Sequence, residues 1–285
     1  MKSTHPLIWQ CRDITLPIHK TLVMGIVNVT PDSFSDGGRF YAAEAAIDHA
    51  LLLAYDGADI LDLGAESSRP GADPVSEQEE LSRLIPVVEE LIGRVNIPIS
   101  VDTYKASVAD EMLKRDVHII NDISGLHYDP AMKDVVAKYQ AGLVVMHIKG
   151  TPKNMQANPL YDDVVTEVRD YLKQSIAMAE TAGLPRSHVV IDPGIGFGKR
   201  LVDNYDILRR LDELSTLDCP ILIGPSRKSF IGSVLNVPPE QRLEGTAAAV
   251  AIGIANGADI VRVHDVREMK RVCRISDLIV GKETL

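Results

Sequence analysis

The strongest constraint on the fold is the alternation of eight short apolar runs with segments of helical periodicity. The runs are 22–29, 59–64, 97–102, 118–123, 143–148, 188–192, 220–224 and 259–264. Strands separated by helices pair in parallel, and a count of eight favours closure into a (β/α)8 TIM barrel, a single α/β domain. An open doubly wound sheet is the alternative fold, although nothing in the sequence marks a switch point between its strands.

A segment that occurs twice supports a repeated βα unit. Residues 56–63 read DGADILDL and residues 256–263 read NGADIVRV, and each is predicted to join the end of a helix to a strand. Residues 1–21 precede the regular pattern, and we expect them to form an N-terminal cover segment or a hairpin. Residues 22–285 are expected to form the barrel, since no linker or shift in composition divides them.

The composition limits the classes of partner. A formal net charge of −10 argues against nucleic-acid binding and against binding to anionic membranes. Cys11, Cys219 and Cys273 form no CxxC pair, which indicates neither a disulfide framework nor a zinc site. Residues 1–13 lack the apolar core of a signal peptide, and no apolar run reaches the roughly 18 residues of a membrane span. We therefore expect a cytoplasmic protein that acts on small molecules.

Polar side chains follow nearly every predicted strand. They are Asn28, Glu66, Asp102, Asn121, Asp122, His147, Asp192, Ser226, Lys228, Arg262 and His264. The carboxyl ends of barrel strands share one face, where active sites of this fold lie. Any single residue here could be an ordinary turn or cap residue. Together they indicate a binding site, because each would cost about 1–3 kcal/mol if it were buried without a partner.

These residues fall into two chemical sets. One set supplies hydrogen-bond acceptors and an amide, which suit a flat, donor-rich heterocycle, and consists of Asp102, Asn121 and Asp192. The other set suits a polyanion such as a phosphate ester, and consists of Asn28, Arg69, Arg262 and His264. Lys228 could serve either set. The sequence therefore predicts a substrate with a donor-rich ring at one end and phosphate at the other.

Two loops and a glycine series also belong to the predicted mouth, by which we mean the end of the barrel formed by the carboxyl ends of its strands. Residues 30–38 and 67–71 follow the first two strands and contain turn-forming residues, so each could be a mobile active-site loop or plain surface. Gly194, Gly196 and Gly198 lack the spacing of a dinucleotide-binding fingerprint. His147 has no HxH or HExxH partner, and we expect it to be packed or hydrogen-bonded rather than a metal ligand.

Eight motifs resemble those of dihydropteroate synthases. They are GIVNVTPDSFSDGG (25–38), ESSRPG (66–71), SVDT (100–103), IINDISG (119–125), MHIKGTP (146–152), DPGIGFGK (192–199), SRKSFIG (226–232) and RVHDV (262–266). The resemblance implies a barrel that condenses 6-hydroxymethyl-7,8-dihydropterin pyrophosphate with p-aminobenzoate in folate biosynthesis. It also implies Mg²⁺ as cofactor, a homodimer and inhibition by sulfonamides.

The resemblance also implies roles for individual residues. Those implied to bind the pterin are Asp102, Asn121, Met146, Asp192, Phe197 and Lys228. Those implied to bind pyrophosphate are Asn28, Arg262 and His264, with Asn28 also a metal ligand. Those implied to bind p-aminobenzoate are Phe34, Ser68, Arg69, Pro70, Phe197 and Ser226. Those implied to act in catalysis are Asn28, Asp102, Lys228, Arg262 and His264, and the first loop would close over the site.

The chain departs from the family pattern in two places. Ser68 stands where the family often has threonine, which would change the packing of the aryl site, and Ile148 stands where methionine is common. The alternative activities are a methyltetrahydrofolate:corrinoid methyltransferase and a non-catalytic pterin-binding paralogue. The first would not need the motifs at 67–71 and 226–228, and the second would be favoured by loss of residues such as Asp192 or Lys228, which are present.

Overall fold

A computed structural model describes residues 7–29 and 38–284. The strands are β1 (Leu7–Cys11), β2 (Ile14–Ile18), β3 (Leu22–Asn28), β4 (Ile60–Gly64), β5 (Ile99–Asp102), β6 (Ile119–Asp122), β7 (Gly142–Met146), β8 (Val189–Asp192), β9 (Leu222–Ile223) and β10 (Ile260–Val263). The α-helices are α1 (Gly38–Tyr55), α2 (Glu77–Leu91), α3 (Ala106–Leu113), α4 (Met132–Tyr139), α5 (Val164–Thr181), α6 (Leu201–Arg209), α7 (Ser229–Leu235), α8 (Leu243–Ala255) and α9 (Val266–Val280). Short 3-10 helices occur at Arg186–His188, Leu211–Leu217 and Pro239–Gln241.

The eight predicted strands form one parallel sheet in the order β8-β7-β6-β5-β4-β3-β10-β9. Its two edges meet at a parallel bridge between Ile191 and Ile221, where the Ile191 N–H donates to the Pro220 carbonyl at 3.0 Å. This contact brings β8 to β9 and closes the barrel. The (β/α)8 prediction is therefore confirmed, and the open doubly wound sheet is excluded.

The strands bury both of their faces, as parallel sheets covered by helices do. Side chains alternate along each strand, so Val23, Val27 and Leu61 pack outwards in the large core beneath the helices. Met24 and Ile60 point inwards and join a second, smaller core within the barrel. In the described part of the chain, every helix is too short or too polar to span a bilayer.

The hairpin β1–β2 covers the amino-terminal end of the barrel. Its strands pair antiparallel from Leu7–Ile18 to Cys11–Ile14, so residues 7–20 form the hairpin rather than an irregular cover. Trp9 is fully buried among the inward-facing residues of the barrel strands, and its indole N–H donates to the His188 carbonyl at 2.8 Å. Trp9 therefore fills the barrel interior at its amino-terminal end.

The repeated segment forms the same junction twice. Gly57 and Gly257 have φ angles of +98° and +107°, a conformation that favours glycine and ends α1 and α8. Asp59 and Asp259 follow, and each carboxylate accepts a backbone N–H from the neighbouring strand, at 2.8 and 3.1 Å respectively. The repeated sequence therefore sets the starting point of β4 and of β10.

Candidate active site

A buried ionic network lies at the centre of the mouth. Asp62, in the middle of β4, is fully buried and accepts hydrogen bonds from Ser100 Oγ at 2.6 Å, Asn121 Nδ2 at 3.1 Å and Arg262 Nε at 2.6 Å. Arg262 also donates from Nη2 to Asp102 Oδ2 at 2.9 Å. Asp62 was not among the predicted site residues, although this residue holds three of the predicted site strands together.

The network joins the two chemical sets that the sequence separates. Arg262, assigned to the polyanion, is bonded to Asp102, assigned to the ring. Burial raises the pKa of Asp102 to about 7, and the positive charge of Arg262 opposes that rise. Arg262 Nη1 makes no hydrogen bond with the described residues, which leaves one guanidinium edge available to a ligand. Asn121 uses one amide N–H on Asp62, so its carbonyl oxygen and its second N–H are left for a ligand.

Asp192 and Lys228 are two further charged residues at the mouth, and the charge of each acts on the pKa of the other. Asp192 ends β8, is 5% exposed, and accepts the Gly194 N–H through Oδ1 at 2.7 Å. Its Oδ2 accepts no hydrogen bond from the residues that the structure describes. Lys228 Nζ donates to the Ile195 carbonyl and lies 4.1 Å from the centroid of the Phe197 ring. Burial lowers the pKa of Lys228 to about 7, against the attraction of Asp192.

The glycines after β8 are required by close packing. Gly194 has a φ of +69°, and a Cβ there would lie 2.0 Å from the His147 carbonyl oxygen. Gly198 has a φ of +61°, and its Cβ would lie 2.4 Å from the Lys149 carbonyl oxygen. The loop can pass under the preceding βα loop only because both positions lack a side chain.

Lys199 holds this loop from beneath and was not among the predicted site residues. It is 3% exposed, and its Nζ donates to the Phe197 carbonyl at 3.0 Å and lies 2.9 Å from His147 Nδ1. Burial lowers the pKa of Lys199 well below its usual value. Burial, followed by the charge of Lys199, lowers the pKa of His147 well below its usual value, so the neutral ring accepts from Lys199. The prediction of a hydrogen-bonded His147 is therefore confirmed.

His264 and Ser226 lie together beside β10. Ser226 Oγ accepts the His264 backbone N–H at 3.2 Å and lies 2.9 Å from the ring Nδ1. Burial lowers the pKa of His264 to about 4, and the charge of Arg262 adds to this effect. The ring is therefore neutral at pH 7. With the serine hydroxyl donating to Nδ1, Nε2 carries the proton and can donate to an anion.

The remaining predicted residues line the rim. Asn28 is exposed at the end of β3, whereas Met146 is buried opposite Asp192 in the β7–β8 register. Met146 belongs to a small apolar cluster against which Phe197 packs. These side chains provide an apolar wall next to the charged floor, a combination typical of small-molecule sites.

The loop after β4 is held at its tip and exposes a cation. Arg69 and Pro70 are exposed and Ser68 is half-buried, while the Gly71 N–H donates to the Pro152 carbonyl at 3.0 Å. The charge of Arg69 makes a small contribution to the lowered pKa of His264. Phe34, with residues 30–37, lies outside the described residues.

Comparisons with known proteins agree with this geometry. Residues 24–264 match the sequence model of the family described as pterin binding enzyme. The dihydropteroate synthase of Bacillus subtilis is 48% identical over 263 residues, which cover 92% of this chain and 90% of that protein. The chain belongs to the dihydropteroate synthase family. The family member from Escherichia coli K12 is 48% identical over 253 residues, 89% of each chain.

Solved structures of the dihydropteroate synthase family share the fold. A Yersinia pestis dihydropteroate synthase in a sulfonamide drug complex superposes with a TM-score of 0.91 at 44% identity, covering 96% of this chain and all of that one. A Burkholderia cenocepacia enzyme complexed with 7,8-dihydropteroate gives a TM-score of 0.88 at 39% identity, covering 98% of each chain.

Two residues predicted among the polar strand ends instead build loops of this synthase-family barrel. The Asp122 carboxylate accepts the backbone N–H groups of Ser124 and Leu126, both at 2.8 Å, and so shapes the turn after β6. Glu66 accepts the Tyr104 hydroxyl at 2.7 Å and is paired with Lys105. Both oxygens of each carboxylate accept hydrogen bonds from within the protein.

Proposed function

We propose that the chain condenses 6-hydroxymethyl-7,8-dihydropterin pyrophosphate with p-aminobenzoate, giving 7,8-dihydropteroate and pyrophosphate. The observation that carries the proposal is the acceptor-rich floor of Asp102, Asn121 and Asp192 directly beside the cations Lys228 and Arg262. A ring edge rich in N–H donors that is joined to a polyphosphate would satisfy both sets of side chains. Relatives bound to 7,8-dihydropteroate and to 4-aminobenzoic acid support the assignment.

The pterin would lie on the acceptor floor. A guanidine-like ring edge presents two parallel N–H donors, which a carboxylate accepts as it does from arginine. Asp192 has Oδ2 available for such a contact, and Asn121 offers its carbonyl oxygen and its second N–H because Asp62 takes only one N–H. The same carboxylates would stabilise positive charge that develops on the pterin as pyrophosphate departs. Met146 and Phe197 would cover the apolar faces of the ring.

The pyrophosphate would lie towards β10. Arg262 offers Nη1, and His264 offers Nε2–H when Ser226 holds the other ring nitrogen. Lys228 lies between Asp192 and this region. It would donate a hydrogen bond to the oxygen that joins the leaving pyrophosphate to the pterin methylene. These donors are fixed by the protein before the substrate arrives, so they stabilise the departing negative charge without reorganisation.

The p-aminobenzoate would enter over the rim formed by Ser68, Arg69, Pro70 and Phe197. Its amine is neutral at pH 7, so the attack requires positioning rather than a strong protein base. Arg69 makes no ion pair within the described residues and is therefore the group best suited to the carboxylate. Ser226 is engaged by His264 and would contribute through its position at the floor of this region.

Mg²⁺ would be held mainly by the substrate. No cluster of three or more His, Cys, Asp or Glu side chains in the described ranges is arranged to hold a metal ion. Mg²⁺ commonly keeps several waters and binds through substrate phosphates with one or two protein ligands. The exposed amide of Asn28 at the end of β3 fits that requirement. When bound, the ion would neutralise charge on the leaving pyrophosphate.

We further propose a cytoplasmic homodimer that acts in folate biosynthesis. The side chains of Val234, Leu235 and Ile252 on α7 and α8 are 60%, 50% and 55% exposed, which is unusual for a monomer surface and suits a self-association face. The three buried free thiols agree with a reducing compartment. Light scattering of the purified chain tests the dimer, and Ile252→Asp should produce monomers.

Product analysis tests the proposed activity. The protein with dihydropterin pyrophosphate, p-aminobenzoate and Mg²⁺ should yield 7,8-dihydropteroate by liquid chromatography and mass spectrometry, and Asp192→Asn serves as the matched control. A corrinoid methyltransferase would instead demethylate methyltetrahydrofolate in the presence of a corrinoid. A non-catalytic pterin-binding protein would bind the pterin and release no product. Either result would overturn the proposal.

A further inference from the structure

Three charged side chains are buried together behind the loop that follows β4. They are Glu66, Glu80 in the first turns of α2, and Lys105 directly after β5, with side-chain exposures of 10%, 1% and 13%. The Lys105 ammonium donates to both carboxylates. We call this group the Lys105 cluster. No hydrogen bond or ion pair joins these three side chains to Asp192 or Lys228, although the charge of Glu80 contributes to the raised pKa of Asp102.

The Lys105 cluster closes the base of the loop. The Glu66 carboxylate accepts the Tyr104 hydroxyl at 2.7 Å and the backbone N–H of Val75 at 3.4 Å, so one side chain holds residue 66 to residue 75. Arg83 of α2 donates to the Ala65 carbonyl at 2.7 Å, which fixes the helix against the end of β4. Residues 67–74 therefore form a loop whose two ends cannot separate.

The same loop is attached at its tip to the loop after β7. The Gly71 N–H donates to the Pro152 carbonyl at 3.0 Å, and Lys153 pairs with Asp73 at 2.8 Å. Gln156, further along that loop, donates to the Gly196 carbonyl at 2.9 Å. The loop of residues 67–74 is thus attached at its tip as well as at its base.

An ionic cluster is a poor choice if stability alone is required. Two carboxylates share one ammonium in a buried space, and burial raises the pKa of Glu80 despite the hydrogen bond from Lys105. Burial also lowers the pKa of Lys105, but its hydrogen bonds to Glu66 and Glu80 outweigh that effect and the net shift is upward. Apolar residues of similar volume usually stabilise a fold at least as well as such a cluster. The charged side chains form directional hydrogen bonds, and each bond fixes the relative positions of its donor and its acceptor.

We propose that Lys105 is a positioning residue that acts through Glu66 and Glu80 to hold residues 67–74 in the conformation that receives the arylamine. This inference rests on the proposed function, in which that loop supplies the p-aminobenzoate side of the site. Lys105 is engaged by Glu66 and Glu80 behind the loop. Its effect should therefore fall on the second substrate and spare the pterin, which binds to strand ends.

Steady-state kinetics of Lys105→Met in the full chain tests the proposal. The KM for p-aminobenzoate should rise about tenfold, equivalent to about 1.4 kcal/mol, while the pterin dissociation constant and kcat at saturating p-aminobenzoate change less than about twofold. Lys105→Arg should restore the KM, since a guanidinium can donate to both carboxylates. Lys138→Met is the control, because it removes an exposed pair with Asp110 at 2.9 Å and should change neither constant.

Hydrogen exchange gives a readout that does not depend on activity. Amides of residues 67–74 should exchange faster in Lys105→Met than in wild type or in Lys138→Met, while amides of β8 remain protected. If Lys105→Met fails to fold, Glu66→Gln keeps the side-chain shape and removes one charge, and it should show the same pattern in weaker form. A lowered melting temperature with unchanged exchange and unchanged KM would overturn the positioning role. Equal losses for both substrates would overturn it as well. Wild-type protein without synthase activity would refute the proposed function, whereas the exchange result would still decide whether Lys105 orders the loop.

Discussion

Asp62 offers the sharpest test of how the mouth is built. It is fully buried and accepts hydrogen bonds from Ser100, Asn121 and Arg262. In Asp62→Asn the new NH2 can turn towards Ser100, whose hydroxyl can rotate to accept, while the oxygen remains towards the other two donors. The free energy of unfolding should then fall by about 1–2 kcal/mol, because a neutral hydrogen bond replaces a charge-assisted one. Asp62→Ala removes both acceptor oxygens and with them all three hydrogen bonds, and breaking such a buried ion pair costs about 3–5 kcal/mol.

Urea denaturation and pterin calorimetry on the two variants measure these effects. The free energy of unfolding should fall in the order wild type, Asp62→Asn, Asp62→Ala. Pterin affinity should fall in the same order, because Asn121 keeps only a neutral acceptor in Asp62→Asn and loses the partner that orients its amide in Asp62→Ala. Asp110→Asn, which weakens exposed pairs with Lys114 and Lys138, is the control and should change stability by less than about 1 kcal/mol. Equal stability of wild type and Asp62→Ala would refute the central role given to Asp62.

Three further predictions concern the loop after β8 and its neighbours. Asp192→Asn should keep the fold but weaken pterin binding by about 1–3 kcal/mol, since a donor replaces an acceptor; unchanged affinity in calorimetry would remove Asp192 from the pterin floor. Gly194→Ala should lower the melting temperature, because its Cβ would meet the His147 carbonyl at 2.0 Å and its left-handed backbone adds about 1–3 kcal/mol of strain; an unchanged melt would contradict the packing described. Lys228 keeps its proton to about pH 10.5 when unfolded but only to about 7 when folded, so between these values the unfolded state binds more protons and stability rises with pH. The free energy of unfolding of Lys228→Met should therefore exceed that of wild type most below pH 7, and the difference should disappear by about pH 10. Denaturation across this pH range measures the difference. A difference that does not change with pH would contradict the lowered pKa.

The repeated segment contains one feature that the sequence predicted and one that it did not. Its glycine and aspartate predicted the two helix-to-strand junctions correctly, because a positive φ and a strand-start carboxylate are local requirements. The next polar positions in the two copies are Asp62 and Arg262, which turn out to bond to each other. A charged residue of opposite sign at the same place in each apolar strand was the signal for this pair. The pair was missed because residues inside the strands were assigned to the hydrophobic core alone.

Other features of the site depend on contacts that no local pattern encodes. The bridge between Ile191 and Ile221 that closes the barrel joins strands defined by apolar runs, and such runs do not specify which edges meet. Lys199 follows a glycine series in sequence, but its role arises from the distant His147 loop. Likewise Glu66 belonged to the row of polar strand ends, and only the positions of Tyr104 and Lys105 show that it serves the loop.

The central claim is that this mouth joins an arylamine to a pterin as pyrophosphate departs, and the most direct measurement is pyrophosphate release with and without p-aminobenzoate in the presence of Mg²⁺. The account predicts release that depends on p-aminobenzoate and matches dihydropteroate formation one for one. Arg262→Ala should slow release more than it weakens binding of a bare pterin. Release at the same rate without p-aminobenzoate, or none with both substrates present, would contradict the account.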